Sequence, residues 1–190
     1  MPTAKTEALA RLQLVAERCT DCELCATRTT TVFSRGSAAA RLLVVSGPPG
    51  EDEDLSGVPV VGRSGEILDS MLAAIGLGPT DVYICSATKC RTPGDRLPTD
   101  AELEACSVYL AAQIELVAPV LILALGRAAM KALGMGFPER WRGRWARVRG
   151  IPALATYHPD FIAENPGAKA AVLQDLAALR NEYRRRVAVA

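Results

Sequence analysis

Histidine is almost missing from this 190-residue chain, which has one, at position 158. Any step that needs an imidazole as acid, base or ligand is therefore confined to a single place. Net charge is missing too: 22 lysines and arginines offset 21 aspartates and glutamates, leaving a formal charge of +1. That balance excludes a polycation that coats nucleic acid over its whole surface and leaves only local basic patches. No stretch approaches the roughly 20 apolar residues of a membrane-spanning helix. The first residues, Met1-Pro2-Thr3-Ala4-Lys5-Thr6, lack the charged-then-apolar layout of a signal peptide. Internal repeats are absent. The expectation is a cytoplasmic monomer with no membrane partner, in which the six cysteines serve as metal ligands or free thiols rather than disulfides.

What the chain does have is 49% hydrophobic residues, enough for one full core over residues 1–190. Thr6 to Arg18 has helical spacing and runs into Cys19-Thr20-Asp21-Cys22-Glu23-Leu24-Cys25. A polar stretch without clear period follows, from Arg28 to Ala40. Arg41 to Ser46, Val82 to Ala87, Val120 to Leu125 and Ile151 to Thr156 are apolar runs of buried-strand type. Between them lie helical patterns at Ile67 to Ile75, after the capping box of Thr99 and Glu102, and after Gly126. An amphipathic helix closes the chain at about residues 168–185. Strands alternating with helices, none with in/out alternation, predict a three-layer α/β sandwich: a four-stranded parallel sheet with helices on both faces. In such sheets the site lies at the carboxyl ends of the strands. Those ends carry Gly47-Pro48-Pro49-Gly50, Ser86 and His158. His158 itself precedes a proline, and that reads as a loop at a sheet edge.

Cys19 and Cys22 have the C-x-x-C spacing that lets two thiolates grip one metal centre. Cys90, in a loop, and Cys106, on the apolar face of a helix, are the second pair. A clamp built on both pairs would hold an N-terminal arm of about residues 19–40 to the body of the domain. Zinc and a [4Fe–4S] cluster both accept four thiolates, and spacing does not separate them. Cys106 also suits a small core position, Cys85 lies within a strand, and Cys25 is either a spare thiol or a ligand in place of Cys22.

The order of motifs resembles the family-4 uracil-DNA glycosylases. It runs C-x-x-C, a strand with a Gly-Pro turn, P-x-V-G-R-S-G, V-Y-I, K-C-R-x-P-G-x-R, P-T-x-x-E, a lone Cys, L-G-R, R-G-R-W and Y-H-P with N-P, between Cys19 and Leu179. The resemblance implies a [4Fe–4S] cluster on Cys19, Cys22, Cys90 and Cys106. It also implies excision of a flipped-out uracil from DNA, with His158 stabilising the leaving base. The pocket positions implied by the family are Gly47, Pro49, Gly50, Val60 and Ser86.

Several of those positions depart from the family pattern. Where the family has G-E-x-P-G, this chain has Ser46-Gly47-Pro48-Pro49-Gly50, so Gly47 stands in place of a water-positioning glutamate. Val60 replaces an aromatic ring whose stacking is worth roughly 1–3 kcal/mol per base. Ser86 replaces an asparagine whose amide reads the uracil edge. Ala163 and Glu164 stand where the family has an apolar wedge and an arginine. The pattern implies weak or altered specificity, or a DNA-binding iron–sulfur protein that keeps the fold without the chemistry. Glu51, Asp52, Glu53, Asp54 and Asp160 are the carboxylates near enough in sequence to replace the missing glutamate, the first four also fitting a solvated acidic loop.

Basic residues gather in Arg140 to Arg149, expected as a hairpin with Arg140, Arg142 and Arg144 along one face for phosphate. A solvated, charge-protected sheet edge fits the same residues. Lys89, Arg91 and Arg96 are expected to add to the same positive neighbourhood.

Overall fold

In the computed structural model, which describes residues 3–136 and 141–188, the four apolar runs do form adjacent parallel strands, but they are the centre of a larger sheet. The strands are β1 (Ser34–Gly36), β2 (Leu42–Ser46), β3 (Val82–Ser86), β4 (Leu121–Leu125), β5 (Trp145–Val148) and β6 (Ile151–Thr156). Their order across the sheet is β1-β3-β2-β4-β6-β5. The inner four pair in parallel, whereas β1 and β5 pair antiparallel to β3 and β6. The sheet is thus six-stranded and mixed, not four-stranded. Ser-Arg-Gly in β1 carries no apolar signature, and its strand character comes from the backbone of Tyr83 to Cys85 alongside it.

The helices are α1 (Ala4–Glu17), α2 (Glu51–Ser56), α3 (Gly62–Ala74), α4 (Asp100–Val117), α5 (Gly126–Ala132), α6 (Pro159–Glu164) and α7 (Lys169–Val187). Successive strand side chains point to opposite faces, and both faces are covered. Leu43, Val45, Ile122, Ala124, Ala153 and Ala155 pack against α1, α4 and α5 through Leu9, Leu110, Ile114 and Met130. Leu42, Val44, Leu121, Leu123 and Leu154 pack against α3, α6 and α7 through Leu68, Leu72, Ile162 and Leu176. Burial on both faces is why these strands lack polar alternation. Among the described residues no helix is long and apolar enough to cross a membrane.

Three expectations change. The acidic run is a helix, α2, whose carboxylates crowd its positive end. His158 is not at a sheet edge, because β5 flanks β6 on the outside. Nor does Pro159 keep the chain in a loop: it takes the first position of α6, where its missing N–H costs nothing, and the His158 side chain caps that helix at the Asp160 amide.

Candidate active site and cysteine cluster

β3, β2, β4 and β6 end along one edge of the sheet, with Ser46 in register with Ser86. Beyond them a cleft of about 580 Å³ is lined by Ser46, Gly47, Pro49, Gly50, Val60, Ser86 and His158, among others. The pocket positions named from sequence are therefore brought together. Gly126 is required beside them. Its φ is +78°, and a Cβ there would sit 3.4 Å from the His158 Cβ.

His158 is held at both ring nitrogens. Nε2 lies 2.9 Å from Ser46 Oγ, and Nδ1 lies 3.1 Å from Asp160 Oδ2 and 3.3 Å from the Asp160 amide nitrogen. Ser64, on α3, hydrogen-bonds the other carboxylate oxygen, Asp160 Oδ1. Contact with His158 holds the Asp160 carboxyl below its usual range. Ser46 and Ser64 carry no motif signal beyond the departure at position 46, and sequence reasoning missed both.

Val60 forms part of the cleft wall and is buried with φ +54°, a conformation unusual for a β-branched residue. The surroundings hold it there. Arg35 donates from Nε to the Pro59 carbonyl at 3.0 Å and from one terminal nitrogen to the Val60 carbonyl at 3.3 Å. Glu53 Oε1 accepts from the Val61 amide at 3.3 Å. Gly65 lets the Val60 carbonyl approach, since a Cβ there would lie 2.5 Å from that oxygen.

The acidic run divides by task. Glu53 also accepts from the Gly50 amide, Asp54 accepts from the Thr29 amide, and Glu51 pairs with Arg91. Asp52 faces the cleft. A Cβ at Gly47 would meet nothing nearer than Ala128 Cβ at 3.7 Å, so the position has room for a side chain.

Of the basic residues near Cys90, Lys89 is internal, whereas Arg91 and Arg96 reach the surface and are ion-paired there. Lys89 is 1% exposed and donates to the Ser86 carbonyl and to Gln113 Oε1, both at 2.7 Å. Arg91 pairs with Asp95 and Glu51, and Arg96 with Glu102. The expected arginine stripe is not built either. Residues 141–144 form a turn rather than an extended strand, Arg140 lies outside the described residues, and Arg142 turns inward. It donates to the Ala171 carbonyl and to Asp175 Oδ1, a carboxylate 5% exposed. Ala163, near the end of α6, is half-buried.

Cys19, Cys22, Cys90 and Cys106 come from three segments, and each of Cys22, Cys90 and Cys106 feels the charge of others in the set. Burial first, then these neighbours, push the Cys22 and Cys90 thiols up and take Cys106 to about 11. N–H groups face two of the sulfurs: Arg28 donates to Cys90 Sγ at 3.4 Å and the Lys89 amide to Cys106 Sγ at 3.2 Å. Donors of this kind suit sulfurs that carry negative charge, as they do when ligating a metal centre. Cys85 is fully buried within β3, in the core. Among the described residues no three His, Cys, Asp or Glu side chains are placed to hold a single metal ion.

A family model described as "Uracil DNA glycosylase superfamily" matches residues 33–178. The chain is 38% identical over 165 residues to the type-4 uracil-DNA glycosylase of Thermotoga maritima, covering 81% of this chain and 84% of that one. It is 38% identical over 160 residues to the type-4 enzyme of Archaeoglobus fulgidus, covering 78% and 79%. For that of Pyrobaculum aerophilum the identity is 33% over 180 residues, covering 89% and 91%. A motif order read from single residues, a parallel sheet whose strand ends converge on one histidine, and identity along most of the chain agree: the protein belongs to the uracil DNA glycosylase superfamily, among its type-4 members.

Proposed function

We propose that this protein is a DNA glycosylase that cleaves the N-glycosidic bond of a flipped-out deaminated base, with specificity altered from uracil. The observation that carries the proposal is His158 facing a cleft walled by the Pro49–Gly50 turn, Val60 and Ser86. As the bond breaks, the base gains negative charge and the sugar positive charge. His158 stabilises the base. Asp52 and Asp160, both lining the cleft, supply negative charge for the sugar and for placing water. Val60 offers an apolar surface to the ring and Ser86 one hydroxyl to its edge, in place of a stacked aromatic and a bidentate amide.

Cys19, Cys22, Cys90 and Cys106 would hold a [4Fe–4S] cluster, whose contribution is to tie the N-terminal arm to the loop after β3 and to α4. DNA is the partner, with Arg144 contacting phosphate and Ala163 near the gap left by the flipped base. The protein acts as a cytoplasmic monomer.

Excision assays on oligonucleotides carrying uracil, hypoxanthine or xanthine, single- and double-stranded, test the proposal. Abasic sites are expected with wild type and not with His158→Ala. No cleavage of any base above that control overturns it. A second reading is a DNA-binding protein without excision. The tying up of Glu53 and Asp54 in structural bonds, with Gly47 at the glutamate position, favours it. Excision gained only by a Gly47→Glu, Val60→Phe, Ser86→Asn variant would establish that second reading.

A further inference from the structure

The hydrogen bonds around His158 all point one way. The Asp160 amide donates to Nδ1 at 3.3 Å as the cap of α6. A backbone N–H cannot accept, so in the neutral ring Nδ1 carries the lone pair and Nε2 the proton. The Asp160 carboxylate, 3.1 Å from Nδ1, is an ion-pair neighbour when the ring is charged. The group in reach of the Nε2 proton is Ser46 Oγ, at 2.9 Å. With its oxygen accepting from the ring, the Ser46 hydroxyl has its own proton turned away from His158. No acceptor among the described residues takes that proton, and Ser46 lines the cleft from the last position of β2. The floor of the cleft therefore presents a hydrogen-bond donor whose polarity is fixed by a helix cap. Ser86, in register beside it, differs. Its hydroxyl has no partner among the described residues and turns to donate or accept as a ligand requires. Glycine stands at position 46 in the family pattern, so a donor at that place is a feature of this chain.

We infer that Ser46 determines specificity by donating to a carbonyl oxygen of the flipped base, and that His158 acts on the base through it. The inference takes the base as ligand from the glycosylase reading above. When the N-glycosidic bond breaks, its electron pair stays with the base and the charge spreads to the carbonyl oxygens. A donor already aimed at such an oxygen strengthens its hydrogen bond as that charge grows, and Ser46 keeps its proton throughout. His158 is then a positioning residue: its Nε2–H holds the hydroxyl in the donating orientation and polarises it. An amino group in the same place would set donor against donor and leave both unpaired. A thiocarbonyl would offer the hydroxyl only a weak acceptor.

The chain has one histidine, so its ring gives one set of signals in long-range proton–nitrogen NMR spectra of isotope-labelled protein. At a pH where the imidazole is neutral, the proton is expected on Nε2. Free uracil, hypoxanthine and xanthine, and their thiocarbonyl analogues, are then titrated in, with binding followed through the same signals. Replacing the contacted carbonyl by a thiocarbonyl is expected to weaken binding to wild type about tenfold, the worth of one hydrogen bond. The same replacement should leave binding unchanged in Ser46→Ala and in Ser46→Gly, which restores the residue type of the family motif. Thermal melts identify the variants that are folded. A neutral ring protonated at Nδ1 overturns the inference, as do the absence of binding by every base and equal thiocarbonyl losses in wild type and folded variants. Excision by the same preparations reports on the glycosylase reading by itself. Thiocarbonyl sensitivity without excision keeps the Ser46 contact and removes the enzyme, and excision without that sensitivity does the reverse.

Discussion

Lys89 Nζ lies 2.7 Å from the Ser86 carbonyl and 2.7 Å from Gln113 Oε1, a buried ammonium bridging the floor of the cleft and the middle of α4. Gln113 passes the connection on, donating to the Phe33 carbonyl and to the Tyr83 hydroxyl, both at 3.1 Å. Removing the ammonium orphans two acceptors that water does not reach. Relief of the cation's own desolvation offsets only part of that loss. Lys89→Met is therefore expected to destabilise the protein by about 1–3 kcal/mol, read as a lower urea midpoint at unchanged slope. An unchanged midpoint would mean the bridge contributes nothing.

Gly65 sits inside α3, where alanine normally stabilises a helix by about 1 kcal/mol. Here the added Cβ would meet the Val60 carbonyl oxygen at 2.5 Å, and backbone cannot swing aside as a side chain can. Overpacking of this kind costs roughly 1–3 kcal/mol, so the sign reverses and Gly65→Ala lowers the melting temperature. Gly167 has open space around it, and Gly167→Ala should leave stability within about 0.5 kcal/mol of wild type. Equal effects at the two glycines would show that the Val60 carbonyl is not what excludes a side chain at position 65.

Glu102 accepts from Arg96 at 2.6 and 2.8 Å and from the Thr99 amide at 2.7 Å, which hold its carboxyl down at about 2 against an ordinary 4.5. A carboxyl depressed in the folded state stabilises fully above its unfolded value and loses that stabilisation as pH falls through the folded one. The contribution from Glu102 is therefore expected to disappear between about pH 4.5 and about pH 2. Melting temperature measured across this range should fall less steeply in Glu102→Gln than in wild type. Parallel curves would show that the pair is not coupled to folding.

Arg142 and Arg144 are the two arginines on which the proposed phosphate contact can be tested. Asp175, 5% exposed, accepts from Arg142 and from the Thr156 hydroxyl. Arg142→Ala leaves that carboxylate buried and unpaired, at a cost of about 3–5 kcal/mol. Arg144→Ala should weaken DNA binding and make the salt dependence shallower by about one phosphate contact. Fluorescence anisotropy across salt concentrations, with melts alongside, distinguishes the two. A stable Arg142→Ala protein with reduced salt slope would exchange their roles.

Thiol substitution separates ligand from core. Anaerobically purified wild type is expected to contain iron, Cys106→Ser to lose it, and Cys85→Ala to keep it, since Cys85 is fully buried in the core. Iron per chain and visible absorbance provide the measurement. Iron retained by Cys106→Ser, or zinc in place of iron, would contradict the cluster assignment.

The central strands were legible because a strand buried on both faces must be apolar throughout, and the capping box at Thr99 was legible because its geometry is local. Edge strand β1 was not, since Ser-Arg-Gly is held by its neighbour's backbone and announces nothing itself. The pocket positions could be read from motif order. The fate of the charges could not. Lys89, Arg91, Arg96 and Arg142 look alike as letters, and only the folded structure decides which partner elsewhere in the chain each one meets. Ser46 shows the same limit, because its significance depends on a histidine 112 positions away.

That separation also sets a clock. During synthesis β2 and β3 are complete long before the histidine exists, and a contact between residues so far apart forms only after the intervening helices and β4 have closed the loop. The growing chain therefore carries a half-cleft without its histidine, and the cleft is completed only with the last strand of the sheet and the helices α6 and α7 that follow it.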